Sequence, residues 1–322
     1  MSEHHEPQEK TSHKTVWERD TLERLAFATL AEQRASRRWR IFFRFAWLAL
    51  IALLLWTGAH KGGMGGSSPS QPHTAVVAIK GEIADGADAS AEWVVTALRA
   101  AFEDEGSQAV VLQINSPGGS PVQAGIINDE IRRLKEKHKK PVYAVVEESC
   151  ASAAYYIAVA ADEIYVDKAS IVGSIGVLMD GFGFTGLMDK LGVERRLMTA
   201  GVNKGFLDPF SPQTKPQRAH AQTLLDQIHQ QFIQVVREGR GKRLKETPEL
   251  FTGLFWSGQQ AVELGLADGL GNLDYVAREI VKAEDIIDYT RHENVAERLA
   301  KRFGAAIGEG AVRALQTMPV VR

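Results

Sequence analysis

Two short runs of small residues follow predicted strands, where a side-chain hydroxyl and backbone amides could act together. One is Asn115–Gly119, with the sequence NSPGG, and the other is Ser149–Tyr156, with the sequence SCASAAYY. An α/β sheet places its site at the carboxyl ends of its strands, which is where both runs are predicted to lie. A Pro-Gly-Gly turn exposes backbone N–H groups and suits an oxyanion hole, although such a turn more often has only a structural role.

Ser152 is the candidate nucleophile in the second run. Serine at the start of a helix is most often an N-cap, but alanines flank Ser152 and leave its hydroxyl approachable. The amide of Ala153 can point at the same oxygen as the amide of Gly118, which would give two oxyanion donors. Cys150 is a competing nucleophile, although an inert buried thiol is the more frequent role of such a cysteine.

Histidine is the usual activator of a serine, but the chain offers none in a suitable place. Its nine histidines lie at positions 4, 5, 13, 60, 73, 138, 220, 229 and 292, and none falls between the serine run and a long predicted helix at 214–240. His220 and His229 are predicted on a polar face of that helix. A Ser-His-Asp triad is therefore poorly supported.

A lysine is the alternative base. It must be neutral to accept a proton, and burial is what lowers the pKa of a lysine toward neutrality. Lys204 lies in the run AGVNKGF, after a predicted strand and among small and apolar residues. A lone lysine in a loop is ordinarily solvated, so only its combination with Ser152 makes Lys204 a candidate.

Strands alternate with helices in the part of the chain that carries these residues. Strands are predicted at 74–83, 109–115, 141–149 and 163–172, and helices at 90–105, 121–140, 151–162 and 214–240, with a helix–turn–helix at 257–283. This alternation predicts an α/β fold with a mostly parallel sheet covered on both faces.

A transmembrane anchor is predicted at residues 41–59, IFFRFAWLALIALLLWTGA, a stretch that contains the single charge Arg44. Such a run is just long enough to cross a hydrocarbon core of roughly 30 Å. Four further arginines precede the run (Arg34, Arg37, Arg38 and Arg40) and only Lys61 follows it closely, which predicts a cytoplasmic N-terminus. A buried core helix and a cleaved signal peptide ending near Ala59 are the alternatives, and the long segment ahead of the run favours an uncleaved anchor.

The composition of the chain predicts its domain boundaries and gives no indication of nucleic-acid binding, an internal disulfide, a metal site or a cofactor. The predicted segments are 1–40 (cytoplasmic), 41–59 (anchor), 60–73 (Gly/Ser linker), 74–285 (α/β domain) and 286–322 (tail). The net charge of −2 gives no indication of a nucleic-acid partner. The single cysteine, Cys150, cannot form an internal disulfide, and neither a metal site nor a cofactor is expected.

Together these motifs resemble the signal peptide peptidase A family of serine-lysine proteases, in its short form. The resemblance covers roughly residues 74–285 and rests on INSPGG, ASAAYY, IVGSIGV, AGVNKG and FWSGQQAVELGLADGLG, in that order. It implies a Clp protease/crotonase-like domain of repeated ββα-type units. One departure is that Ala153-Ala154 stands where the family often has two glycines, which leaves the amide donor but affects the conformation of the loop.

The resemblance assigns roles to individual residues. It implies Ser152 as nucleophile, Lys204 as general base and Ser174 as the group that orients the lysine amine. Gly118 and Ala153 would supply the oxyanion amides. The implied substrates are remnant signal peptides, cut by a homo-oligomer anchored in the inner (plasma) membrane with its catalytic domain on the extracytoplasmic (periplasmic) side.

Two other classes remain open from the sequence. A crotonase-like acyl-CoA enzyme shares the α/β core and an oxyanion hole but needs no nucleophile. A catalytically silent membrane scaffold would keep the fold and the anchor without turnover.

Overall fold

The computed structural model describes residues 37–53 and 71–291. The chain separates into two units, Met1–Ser68 and Pro69–Arg322. In the first unit, residues 37–53 form a helix, α1, whose residues are all exposed. No helix within the described residues is both long and apolar enough to span a membrane. The predicted anchor at 41–59 and the linker at 60–73 extend into residues outside the described ranges, so both stay predictions.

The second unit alternates strands and helices around one sheet. The elements are β1 (His73–Lys80), α2 (Ala91–Glu103), β2 (Ser107–Ser116), α3 (Pro121–His138), β3 (Val142–Ala151), α4 (Ala153–Ala158), β4 (Glu163–Val166), β5 (Ile171–Gly173), α5 (Thr185–Leu191), α6 (Lys215–Arg240), β6 (Phe255–Ser257), α7 (Gly258–Glu263), β7 (Gly269–Leu270), α8 (Leu273–Tyr275) and β8 (Ile286–Asp288). A 3₁₀ turn, Gly241–Arg243, follows α6, and a π-helical turn, Val276–Val281, continues α8.

The eight-stranded sheet confirms the predicted mixed α/β class. Its order is β6-β5-β3-β2-β1-β8, with β4 paired to both β3 and β7. All pairs are parallel except β5 with β6. Antiparallel β6 is reached through the long segment that follows β5 and contains α5 and α6.

Three details differ from the sequence prediction. The stretch 163–172 is two strands, because Asp167 and Ser170 form a tight turn in which the Asp167 amide donates to Ser170 Oγ at 3.1 Å. No strand lies directly before Lys204, because residues 193–199 are irregular. Strand β8 lies within the predicted tail and pairs with β1 at the sheet edge.

The main core lies on one face of the sheet. Val77, Leu112 and Ala144 point into it and are fully buried against α2, α3 and α4. Burial of a side chain as large as Val77 or Leu112 contributes about 1.5–3 kcal/mol. A smaller cluster on the opposite face packs Val111 and Val145 against Val276, in the turn that continues α8.

A bulge in β3 redirects the end of this strand. Ile114 of β2 pairs with Val146, but Ser116 pairs with Cys150, so three residues of β3 oppose one of β2. Before the bulge β3 pairs with β4, and after it with β5. The buried Ser170 holds the bulge, since its hydroxyl donates to the Glu147 carbonyl at 2.5 Å. The bulge therefore gives the end of β3 a different neighbour, β5 in place of β4.

The C-terminal part of the domain supports α4 from behind. The fully buried Tyr155 of α4 donates its hydroxyl to the Leu266 carbonyl at 2.8 Å. Arg240, at the end of α6, is fully buried and forms two hydrogen bonds to Asp268 at 2.8 and 2.9 Å and one to the Gly265 carbonyl. This buried ion pair joins α6 to the segment between α7 and β7.

Asp268→Asn should lower the free energy of unfolding by about 3–5 kcal/mol, because the buried Arg240 loses its counter-charge. Burial acts to raise the pKa of Asp268, but its bonds to Arg240 and the charge of Arg243 outweigh burial and lower it. The ionised carboxylate thus stabilises the fold above the unfolded pKa of about 4, and this contribution is lost as the pH falls through the lower folded-state pKa. Urea denaturation at pH 7 and at decreasing pH measures both effects.

The exposed Asp274→Asn is the matched control and should change stability by less than about 0.5 kcal/mol. Equal losses in the two variants would contradict the assigned role of the Arg240–Asp268 pair.

Candidate active site

Ser152 lies at the junction between β3 and α4 in a strained conformation. Its φ is 54° and its ψ is −123°, a combination that costs a non-glycine residue about 1–3 kcal/mol. Its amide donates to the Gly173 carbonyl of β5 at 2.8 Å, and its own carbonyl accepts from Tyr156 in α4. Its side chain makes no capping hydrogen bond, so the N-cap alternative is not what the structure shows. A partly exposed, uncommitted hydroxyl on a strand-to-helix turn is the arrangement that a nucleophilic serine needs.

The Pro-Gly-Gly turn is fixed by backbone bonds to the segment after β1. The Ile83 amide donates to the Gly118 carbonyl at 2.9 Å, and the Ser120 amide donates to the Ile83 carbonyl at 2.7 Å. Gly118 has φ 105° and Gly119 has φ 147°, both in the region that favours glycine. A side chain on Gly119 would collide with the Ile83 carbonyl at 2.2 Å. The turn is therefore held in one conformation before any ligand binds.

Gly118 is in direct contact with the serine junction. A Cβ on Gly118 would lie 2.8 Å from Ser152 Cβ and 3.0 Å from the Ala153 nitrogen. The structure thus brings together three of the five predicted site residues. Among the described residues, the amides of Ala153 and Gly119 have no hydrogen-bond partner, whereas the Gly118 amide donates to Ser116 Oγ at 3.1 Å. Gly119 is therefore a candidate donor that the sequence did not single out.

Ser174 follows β5, one residue after the carbonyl that accepts the Ser152 amide. It has a left-handed φ of 51°, and its amide donates to the Leu254 carbonyl at 2.8 Å. The backbone favours glycine at position 173, because its φ is 110° and a Cβ there would lie 3.1 Å from the ring of Trp256. The buried Trp256 Nε1 has no hydrogen-bond partner within the described part of the chain. β5 thus places Ser174 beside the serine junction.

Lys204 is not joined to these residues. It lies in an exposed turn, where its amide donates to the Gly201 carbonyl at 3.0 Å. Within the described ranges, no hydrogen bond or ion pair involves its side chain. Its apolar surroundings are exposed as well: Met198 is 94% and Val202 is 96% exposed. The assignment of Lys204 as base stays a prediction.

Cys150 is fully buried two residues before Ser152, and burial raises the pKa of its thiol far above the ordinary value. A thiol that stays protonated is a poor nucleophile. This environment favours Ser152 over Cys150.

His229 differs from its sequence prediction. It is half-buried, and its Nε2 lies 3.1 Å from the Ile175 carbonyl, next to Ser174. The spacing of His229, Phe232, Ile233 and Val236 could have indicated a helix face that packs inward, because i, i+3, i+4 and i+7 lie on one side.

Comparison with known proteins assigns the family. Residues 134–286 match Peptidase family S49. "Putative protease MJ0651" of Methanocaldococcus jannaschii is 33% identical over 222 residues, which are 67% of this chain and 71% of that protein. The chain belongs to peptidase family S49. "Putative signal peptide peptidase SppA" of Enterococcus faecium is 32% identical over 199 residues, which are 61% of this S49 chain and 57% of that protein.

Two Brucella proteins named Na(+)/H(+) antiporter NhaA match over a shorter stretch. Each is 49% identical over 176 residues, which are 55% of the S49 chain but only 24% of the Brucella protein. Because the chain spans a quarter of those proteins, their name describes a much longer molecule and carries no activity over to this one.

Gly118→Ala should destabilise this S49 domain by roughly 1–3 kcal/mol, since the added methyl group lies 2.7 Å from the Ala151 carbonyl oxygen at a φ of 105°. Gly125→Ala is the control: nothing lies within 4 Å of its Cβ inside α3, and the variant should gain about 0.5–1 kcal/mol. Urea denaturation of both variants measures the difference. A Gly118→Ala protein as stable as the wild type would show that the turn is less tightly packed than described.

Proposed function

We propose that the protein is a serine endopeptidase in which Ser152 is the nucleophile and Lys204 the general base. The observation that carries the proposal is the geometry of Ser152: it lies at a strained strand-to-helix junction that packs against Gly118 of the glycine turn, and its hydroxyl makes no capping hydrogen bond. Membership of family S49 supports the reaction class.

In the proposed reaction, the neutral Lys204 amine takes the proton from Ser152 Oγ as this oxygen bonds to the peptide carbonyl carbon. The carbonyl oxygen becomes an oxyanion, held by the Ala153 amide and by the glycine turn. Gly118 is the donor proposed from the sequence, and the unpartnered Gly119 amide is added to it. The lysine ammonium then returns the proton to the departing amine, which leaves an acyl-enzyme on Ser152. Water hydrolyses the acyl-enzyme by the same steps, again with the lysine as base.

Ser174 is proposed to orient the lysine amine. Ser174 lies one residue after Gly173, whose carbonyl accepts the hydrogen bond of the Ser152 amide. This position supports the role because it fixes both serines relative to β5. The proposal requires that the Lys204 amine approaches the hydroxyls of both Ser152 and Ser174.

A homo-oligomer is proposed because the segment that carries Lys204 exposes much apolar surface. In the segment 177–210, four large apolar residues are more than three-quarters exposed: Leu178, Phe182, Met198 and Val202. Large exposed apolar side chains concentrated in one segment are typical of an interaction site. A second copy that covers this segment would also supply the apolar surroundings in which a lysine is readily neutral.

The proposed substrates are apolar peptides, specifically remnant signal peptides. The name of the Enterococcus faecium relative supports this class. So does the predicted anchor at 41–59, which would hold the domain at the extracytoplasmic (periplasmic) surface of the inner membrane, within a linker's length of such peptides.

Ser152→Ala and Lys204→Ala should each lower the rate of hydrolysis of a synthetic apolar signal peptide by at least about a thousandfold. The reason is that the nucleophile and its general base act together, so loss of either one removes the function of both. A fluorophosphonate probe should label the wild type at Ser152 and should not label Ser152→Ala. The wild-type rate should rise with pH in a single step, as the base loses its proton. Peptide hydrolysis measured by mass spectrometry from pH 6 to 9 checks the rates and the pH profile, and the mass of the intact protein checks the labelling.

Ser149→Ala and Lys190→Ala are the matched controls and should keep wild-type rates. N-ethylmaleimide should leave the rate unchanged, since burial keeps the Cys150 thiol protonated. Full activity of Ser152→Ala would rule out the nucleophile, and a flat pH profile would rule out the lysine base. Turnover of an acyl-CoA thioester without probe labelling would favour the crotonase-like alternative, and neither labelling nor turnover would favour the silent scaffold.

Leu178→Glu should convert the oligomer to species of lower mass, because it places a charge on the exposed apolar segment. Sedimentation velocity of the full chain in detergent measures the mass. Val122→Glu, which is exposed to a similar extent outside this segment, should keep the wild-type mass. A monomeric wild type would refute the proposed assembly.

A further inference from the structure

One face of α6 contacts both parts of the candidate active site. His229, Phe232, Ile233 and Val236 lie on this face, and all are buried or half-buried. The sequence predicts that His229 lies on a polar face of this helix. The proposed reaction makes no use of α6, so its role in the site needs a separate account.

The central part of this face packs against α4, which begins directly after Ser152. Phe232 and Tyr156 have ring centroids 5.3 Å apart. Further along, the α6 backbone approaches the end of α4 so closely that a Cβ on Gly239 would lie 2.2 Å from the Val159 carbonyl oxygen. Helix α6 is therefore fixed relative to the serine junction.

The N-terminal part of the same face holds the turn after Ser174. His229 Nε2 lies 3.1 Å from the Ile175 carbonyl oxygen. A carbonyl only accepts hydrogen bonds, so the proton of His229 lies on Nε2, and this nitrogen donates to Ile175. Ile175 is fully buried, so its carbonyl depends on a donor within the protein, and His229 supplies one.

The turn that His229 holds is strained. Ser174 has φ 51°, its carbonyl accepts from the Gly176 amide at 2.9 Å, and its amide donates to Leu254. A non-glycine residue keeps a left-handed conformation only where its surroundings enforce it. Among the described residues, His229 provides the side-chain hydrogen bond in this turn; the other two bonds are made by the backbone.

We infer that His229 is a positioning residue for Ser174, which it holds in register with Ser152 through α6. The inference rests on the proposed function, because Ser174 matters for catalysis only if it orients the lysine amine. The Nε2 atom of His229 is not the base, since it already donates its proton to the Ile175 carbonyl.

A double-mutant cycle on the full-length protein tests the inference. His229→Ala should lower kcat for signal-peptide hydrolysis about tenfold and leave KM unchanged, the range expected for loss of one hydrogen bond to a buried carbonyl. In the Ser174→Ala background, the same substitution should change kcat less than twofold, because its effect passes through Ser174. His229→Gln, whose amide can donate to Ile175, should recover part of the loss, whereas His229→Phe should not. Gln230→Ala, exposed on the same helix, is the control.

Hydrogen exchange of the Gly176 amide gives a readout that does not depend on activity. His229→Ala should exchange this amide at least about tenfold faster than the wild type or Gln230→Ala. Unchanged exchange, or full additivity of His229→Ala with Ser174→Ala, would overturn the inference. Failure of the proposed function looks different: the wild type would then show no Ser152-dependent hydrolysis, whatever the exchange rates.

Discussion

The hydrogen bond from the Ser152 amide to the Gly173 carbonyl is the constraint around which the site is arranged. It ties the end of β3 to β5 at the residue where the chain must leave the strand and enter α4. Ser152 is held there with a positive φ, and its hydroxyl makes no capping hydrogen bond to α4. The same bond fixes Gly173, and with it the position of the next residue, Ser174.

Several neighbouring residues stabilise the hydrogen bond between Ser152 and Gly173. The bulge in β3, held by Ser170, gives the strand its new partner β5. Trp256 covers Gly173 from the antiparallel strand β6. From behind, Tyr155 bonds to the segment anchored by Arg240 and Asp268. These contacts come from distant parts of the chain, so the strain at Ser152 is offset by packing and not by local sequence preference.

Much of the fold was predictable because its signals are local. Buried parallel strands read as apolar runs, and NSPGG and ASAAYY mark the two strand ends that meet in the structure. The division of 163–172 into β4 and β5 was missed, although Asp167–Ser170 is a turn-forming run. The β3 bulge was missed, because the polar run Glu147–Ser149 that forms it was assigned to the end of the predicted strand 141–149. Lys204 was expected after a strand; the residues before it are irregular, and whether their apolar side chains are covered depends on a partner that a single sequence does not contain.

The distance along the chain between contacting parts sets the order in which this domain can fold. Strand β1 opens the second unit, yet its outer edge is completed only by β8, and the His73 ring lies against Tyr289 more than two hundred residues later. The hydrogen bond from Tyr155 likewise forms only after Leu266 has been synthesised. A chain emerging from the ribosome therefore cannot close its core, or enforce the conformation of Ser152, until almost the whole domain has been synthesised. The proposed nucleophile, Ser152, therefore lacks its assembled surroundings throughout synthesis, when unfolded peptide is closest to it.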